Sequence, residues 1–421
     1  MKIERLCALN LALMIFMAMN PYITWIMPDG FVNILFLIST IVCTIELPDY
    51  AKQDPFMDRH KILIGIALLI YIVYFTLPVI HEMRVGHFIW FLCFLIVLSY
   101  RDFIVFKAYS YLKRLFVWIA IFALIFWILN IIRFPLPYYL YIPDFRGNSE
   151  DVYRIYGFAA SLYRGSFPIG GYGVERIIGV FGEPGHFGIY IGLILAVDKF
   201  NFSKKENVLL LITGILTFST AFYGILALGL LYRALSDRFF LSKILKPSFI
   251  VFLLLIFGLL IKSDALREVT YRRVLQNETE RGVIELVEQR SREDNKEMFV
   301  SFIKSPEILF GKGYFISSID FQSTNWRGIF FRFGIIGFLI ILFLIFSIAI
   351  NNDLKYGLLL FFMAALIFSH RSFLSYASVI YILLYMATVV NRIRIKFMKN
   401  RMEQYQILRR GNYITNPRKT L

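Results

Sequence analysis

The sequence predicts an all-α integral membrane protein with about 12 transmembrane helices, and three observations carry that prediction. Apolar residues make up 58% of the 421-residue chain and its mean hydropathy is +0.65, far above a soluble domain of this length. They gather into runs of about 13 to 23 residues, on the scale of a hydrocarbon core roughly 30 Å thick. Lipid offers the backbone no hydrogen-bond partner, so such runs read as helices, and the alternating pattern of a membrane barrel is absent.

In chain order, helices are expected at 6–26, 31–46, 62–80, 87–100, 115–132, 178–197, 207–219, 220–234, 248–262, 328–350, 355–369 and 372–391. The opening Met1-Lys2-Ile3-Glu4-Arg5 and its apolar run resemble a signal peptide but lack a small-x-small cleavage pattern, so a retained first helix is expected. Cys7, Cys43 and Cys93 all fall inside expected spans and read as packing residues rather than a disulfide framework or metal cluster.

Orientation follows from charge, because short loops rich in Lys and Arg stay on the cytoplasmic side. Asp58 to Lys61, Arg101 to Arg114, Lys199 to Lys205 and Arg233 to Lys246 carry that signal. So does 391–421, with nine Lys or Arg against Glu403, within a formal net charge of +16. That basic tail suits anionic lipid headgroups rather than nucleic acid. One long helix over 207–234 would split the basic segments between the two faces. Two helices turning at Phe218-Ser219-Thr220 keep them together, with both termini cytoplasmic.

The resulting organisation is helices 1–5 over 1–132, a first periplasmic loop at 133–177, and helices 6–9 over 178–262. A second periplasmic loop at 263–327, helices 10–12 over 328–391 and a cytoplasmic tail at 392–421 complete it. The first loop holds five Arg against four acids, and interleaves Tyr138, Tyr139, Tyr141, Tyr153, Tyr156, Tyr163 and Tyr172 with Arg146, Arg154 and Arg164. Rings stack on sugar C–H faces while guanidinium groups bind oxyanions, so the pattern suits a sugar-binding surface; an interfacial aromatic belt is the alternative. In the second loop, apolar positions over Arg281 to Ile303 predict a surface helix or helix pair stopped at Ser305-Pro306. Gly311-Lys312-Gly313 reads as a turn, since no Ser or Thr follows the lysine as a phosphate-binding loop requires.

The stretch that carries chemistry is Arg176 to Gly188, where the first loop runs into the sixth helix. Glycines at 179, 182, 185, 188 and 192 line one helix face, allowing close approach of another helix or of a lipid-linked substrate, with Gly182, Gly185 and Gly188 as a lipid-tail groove. Glu183 stands at the mouth of that helix, and Pro184 biases it out of the helical region and so presents its carboxylate at a break. An acid there is functional or held in a structural ion pair with an arginine. Arg176 and His186 lie close enough in sequence to share the site. Arg327 either binds substrate or snorkels to the interface, while Arg332, deeper in the helix, and His370-Arg371, in the turn between the last two helices, are further charges of functional interest.

These residues resemble the polysaccharide polymerases of the O-antigen polymerase and ligase superfamily, membrane glycosyltransferases of GT-C-like architecture. Arg176 through Gly188 is similar to the family's Arg, Gly, Phe, Glu-Pro, Phe-Gly run before a mid-chain helix. Leu216 to Gly224 is similar to its Ser/Thr-rich helix turn. Leu309-Phe310-Gly311-Lys312-Gly313-Tyr314, then Asn325 and Gly334-Ile335-Ile336-Gly337, resemble the end of its large outer loop. The likeness covers roughly residues 130–350. Ligases of the superfamily tend to carry His before that Asn, whereas this chain has Thr324-Asn325, which favours polymerase over ligase.

The resemblance implies polymerisation of undecaprenyl-pyrophosphate-linked oligosaccharide repeats at the periplasmic face of a bacterial inner membrane. Membrane lipids, and a chain-length regulator and flippase of the same pathway, would be its partners. Glu183 becomes the candidate base, with Arg176 and His186 beside it. Arg154, Arg164, Arg272, Arg273, Tyr314, Asn325 and Arg327 become candidates for binding substrate and pyrophosphate. No cofactor is implied, and the absence of a dense carboxylate or histidine cluster in the sequence points to metal-independent chemistry. A flippase or secondary transporter is the alternative from another class, but no internal repeat is visible.

Overall fold

A computed structural model describes every residue except 1, 26, 29, 53–57, 77–84, 133, 142–152, 158, 163–165, 170–171, 238–292, 314–325, 351–352, 372–373, 376 and 415–421. The expected helix 248–262 lies outside the described residues.

The first five helices are α1 (Lys2–Ala18), α2 (Phe31–Glu46), α3 (Arg59–Thr76), α4 (Val85–Val97) and α5 (Asp102–Ile131). α1 stops earlier than the apolar run does, because Asn20 takes a left-handed φ of 56° and Pro21 follows it. α5 starts well before 115. Arg101 is its N-cap and Asp102 sits in its first turn, so the segment expected as a basic loop is helical. Ile104, Val105, Ala108 and Leu112 bury one stripe of that segment.

After the first loop come α6 (Pro184–Val197), α7 (Lys205–Leu216) and α8 (Thr220–Ser236). Residues 207–234 therefore form two helices, broken over Thr217, Phe218 and Ser219, where Phe218 has a φ of 48° and the Ser219 hydroxyl caps α8 by accepting from Phe222 N. A surface helix α9 (Glu293–Ile303) precedes α10 (Trp326–Ala349), α11 (Leu354–His370) and α12 (Ser378–Ile414).

The first loop departs from the all-α expectation. β1 (Tyr139–Tyr141), β2 (Tyr153–Ile155) and β3 (Ala160–Leu162) form an antiparallel sheet in that order, and β4 (Ser166–Ile169) pairs with β5 (Tyr172–Glu175). Tyrosines and Ile155 are strand formers, and Gly157, with a φ of 79°, makes the β2–β3 turn. The aromatic spacing that suggested a sugar surface is also a strand pattern.

Among the described residues, three helices are long and apolar enough to cross a membrane, Asp102–Ile131, Trp326–Ala349 and Ser378–Met398, and there are shorter apolar helices as well. Along α2, the residues Phe31, Ile34, Leu35, Ile38, Ile41, Val42 and Ile45 form one exposed apolar stripe. A continuous stripe of that length marks a helix whose solvent is not water. The architecture is that of a helical membrane protein.

α6 lies at the centre, packed on α7, α8 and α12, and nearly every side chain of it is buried. Its apolar residues run all round the helix, as a fully enclosed helix requires. Asp198 caps its C-terminus, where a carboxylate meets the negative end of the helix dipole. Cations reverse that penalty: Lys113 of α5 at 2.6 Å, Lys204 at 3.2 Å, and Arg394 of α12. A neighbouring set joins Arg392 to Asp58 at 2.7 Å and to Asp102 at 3.5 Å, and Lys199 to Asp353 at 2.9 Å. Burial by itself would raise the Asp198 carboxyl, but the hydrogen bond from Lys113 and the charges of Arg394, Lys113 and Lys204 hold it down at about 2. Asp58 and Asp353 are lowered as well, against burial, by Arg392 and Lys199 respectively.

Because these acids have folded pKa values below their ordinary ones, their stabilisation is complete above about pH 4 and fades as pH falls toward 2. Asp198→Asn removes the buried carboxylate shared by Lys113, Lys204 and Arg394, of which Lys113 keeps Glu206 at 2.8 Å, and should cost about 1.5–3 kcal/mol. In detergent, the variant is expected to melt well below wild type at pH 7, with the gap narrowing as pH is lowered through 4 to 2. An unchanged melting temperature at pH 7 would show the network to be dispensable.

Candidate functional site

At the other end of α6, the approach Arg176 to Gly182 runs without regular structure, so each backbone group needs a separate partner. Ile177 N donates to Leu216 O, Ala160 N to Gly179 O, and Tyr22 N to Val180 O at 2.8 Å. The Tyr153 hydroxyl, fully buried beside Trp25, donates to Gly182 O at 2.8 Å. Gly179 takes a φ of 60°, which suits glycine. Thus the α1–α2 connection, the first sheet and the α7–α8 turn all fasten the segment that carries Glu183.

Glu183 is the N-cap of α6, with extended φ and ψ of −145° and 144°, and Pro184 occupies the first helical position. Its Oε2 lies 2.7 Å from Nη2 of Arg371, which caps the C-terminus of α11. Both side chains are partly exposed. Arg371 leans over Gly185, where an added Cβ would meet Nη2 at 3.0 Å. Beside this pair, Thr220 Oγ1 and His370 Nε2 are 3.2 Å apart, joining the start of α8 to the end of α11. The positive ends of α6 and α8 therefore meet the negative end of α11, an attractive alignment.

Arg176 reaches the α7–α8 break. Its Nε donates to Thr217 O at 2.9 Å and its Nη2 to Phe218 O at 2.8 Å, so the guanidinium caps the last carbonyls of α7. These bonds place it at the α7–α8 break as a structural cap. His186 sits in the first turn of α6 with its ring 6.5 Å from that of Tyr190.

The expected lipid-tail groove along Gly182, Gly185 and Gly188 is filled. Gly182 is buried under Tyr153, Gly185 under Arg371, and a Cβ at Gly188 would meet Thr217, Ser219 and Phe222 at 3.0 Å each. The glycine face serves close helix approach to α8 instead. Arg154, on β2, lies over the Tyr138 ring at 5.1 Å, and Arg327 lies over Phe299 and Trp326 at 5.6 and 5.7 Å. Arg164, Arg272, Arg273, Tyr314 and Asn325 lie outside the described residues.

No protein-family model, no curated protein and no solved structure matches this chain.

Two glycine segments far apart in sequence do meet. α10 is interrupted at Gly334, with a φ of 64° and ψ of −171°. Lys312 N donates to Phe331 O at 2.8 Å, Gly313 N to Arg332 O at 3.0 Å, and Ile336 N to Leu309 O at 3.1 Å. The Tyr74 hydroxyl donates to Phe333 O at 2.8 Å. Carbonyls freed by the break are thereby satisfied by the turn at Gly311, which membrane burial demands. At both Gly311 and Gly334 an added Cβ would strike the backbone of the other segment.

Two substitutions check these assignments. Gly334→Ala should lower stability by about 2 kcal/mol or more through strain and the backbone clash, read as a lower melting temperature in detergent. Arg176→Gln should cost roughly 1–3 kcal/mol by removing the charged cap of α7. A fully stable Arg176→Gln protein would mean the cap is not structural.

Proposed function

We propose that this protein polymerises undecaprenyl-pyrophosphate-linked oligosaccharide repeats at the periplasmic face of a bacterial inner membrane, with its site at Glu183 and Arg371. The observation that carries the reading is a carboxylate at the mouth of a buried helix, held 2.7 Å from a guanidinium on a segment that the first sheet fastens. It adds to the resemblance over Arg176 to Gly188 and over the segments 309–313 and 334–337, which lie against each other. The multi-pass topology with both termini cytoplasmic is part of the proposal. In its favour, Asp58, Lys113, Lys204, Arg392 and Arg394, drawn from or beside basic segments, gather in neighbouring ion-pair sets. Glu183 stands at the opposite end of α6, about 21 Å away by helical rise.

In this reading Glu183 accepts the proton of the acceptor hydroxyl as that oxygen bonds to the donor's anomeric carbon. The bond from that carbon to pyrophosphate breaks, and its electron pair leaves on undecaprenyl pyrophosphate. Arg371 orients the carboxylate and sets a positive charge beside the developing oxyanion. Arg154, with Arg164, Arg272 and Arg273, completes the cationic surface for the two lipid-linked substrates. A chain-length regulator and a flippase of the same pathway are its proposed partners. No metal is assigned a role.

One observation favours a transporter, since interrupted helices such as α10 line substrate sites in that class. Here the freed carbonyls are occupied by residues 312–313, which favours docking of the second loop over an open binding site.

Glu183→Gln protein, present in the membrane at wild-type level, should leave cells making single-repeat glycans. Long-chain glycan from those cells would end the base assignment. Arg371→Lys should slow elongation roughly 10- to 100-fold, since a single ammonium cannot reproduce the guanidinium geometry. Purified protein should lengthen lipid-linked repeats in chelator without a membrane gradient, whereas a flippase would only move them.

A further inference from the structure

The second loop meets α10 well inside the length of that helix, and two helices give the depth independently. The face where Lys61 and Arg392 pair with Asp102 marks one polar boundary, because charges gather where hydrocarbon gives way to water. On α3, Tyr74 stands about 20 Å from Lys61 by helical rise. Its hydroxyl is shared between Phe333 O at 2.8 Å and Phe310 O at 3.3 Å. On α10, Ile336 donates to Leu309 O and stands about 20 Å by helical rise from Ala349, the end of the helix nearest the Lys199–Asp353 pair in sequence. Both routes put Leu309 and Phe310 about two-thirds of the way across a hydrocarbon layer roughly 30 Å thick.

Irregular backbone survives at that depth only with its polar groups paired. The segment meets this demand. Gly311 N donates to Glu307 O at 2.6 Å, Lys312 N to Phe331 O and Gly313 N to Arg332 O, while Leu309 O and Phe310 O accept from Ile336 N and the Tyr74 hydroxyl. The side chains are left outside this arrangement. Leu309 is 49% exposed and Phe310 48%, although their carbonyls are held by α3 and α10. Both of those helices also carry exposed apolar residues, Ile70 and Val73 on α3 and Leu339 and Phe346 on α10.

Nearer the start of α10 the chemistry changes. Phe302 of α9 packs on Phe331, Lys312 lies over the same Phe331 ring and pairs with Glu307 at 3.4 Å, and Arg327 lies over Trp326. Cations and a tryptophan at the mouth of a spanning helix suit a headgroup layer. We propose that residues 306–313 form a re-entrant turn whose Leu309 and Phe310 side chains sit among phospholipid acyl chains, with α9 at headgroup level. This contact rests on the membrane character of the chain and is independent of the chemistry at Glu183.

The test places single spin labels in the full chain, with Cys7, Cys43 and Cys93 replaced by Ala, in nanodiscs of phosphatidylethanolamine and phosphatidylglycerol. Labels at Leu309→Cys and Phe310→Cys should be relaxed more by oxygen, which dissolves in lipid, than by a water-soluble nickel chelate, matching a label at Leu339→Cys. Exposed Ser203→Cys should show the reverse order. Nickel dominating at 309 and 310 would put the turn in water, and exclusion of both reagents would mean that protein, such as a second copy of the chain, covers it; either result overturns the lipid contact. A second measurement keeps the native cysteines. The emission added by Phe310→Trp should be lost in lipids brominated along their acyl chains, and its survival there would also overturn the assignment.

Discussion

A helix enclosed on every side, with an acid at each end, is the constraint on which the rest of this structure depends. α6 has no polar face to offer water, so it is stable only inside a ring of other helices. Its terminal carboxylates, Glu183 and Asp198, then require cations from outside the helix. Arg371 supplies one end, and Lys113, Lys204 and Arg394 supply the other. Those demands determine where α5, α11 and α12 pass. Satisfying a desolvated acid leaves little freedom in the placement of its partner, because an unpaired charge there is far costlier than a lost van der Waals contact.

Much of this was legible before the coordinates, because its cause is local. The apolar run 31–46 coincides with α2, and the break in 207–234 follows from the need to keep the flanking basic segments on one face. Glu183-Pro184 announced a helix start through the backbone restriction proline imposes, and the structure places α6 there. Non-local causes were hidden. Arg371 was visible as a charge at a helix end, but nothing in the sequence paired it with Glu183. The α6 glycines suggested a groove, and only the packing partner decides whether a smooth helix face receives a lipid or another helix. The strands of the first loop escaped because their tyrosines were read for chemistry rather than for backbone preference.

Arg176 shows the same ambiguity within a single residue. Its position beside a glycine-rich run suggests a place in the Glu183 site, and two of its donors serve the carbonyls of Thr217 and Phe218 in the α7–α8 break. The two roles draw on one property, a planar fork of N–H donors that binds any pair of oxygens at the right spacing. A guanidinium so used ties the entry to α6 to the α7–α8 turn.

The interruption of α10 is satisfied from within the chain. The turn at Gly311 docks into the break at Gly334, so the second loop is anchored in the helix that follows it.

The ion pairs of α6 also bear on how the chain is made. Membrane helices are delivered in order, and α6 is in place well before α11 and α12 are synthesised. Until those last two helices arrive, Glu183 lacks Arg371 and Asp198 lacks Arg394. A chain cut short before α11 would therefore carry its most buried helix with two acids missing these counter-charges. The carboxy-terminal helices thus supply the last of the counter-charges at both ends of α6.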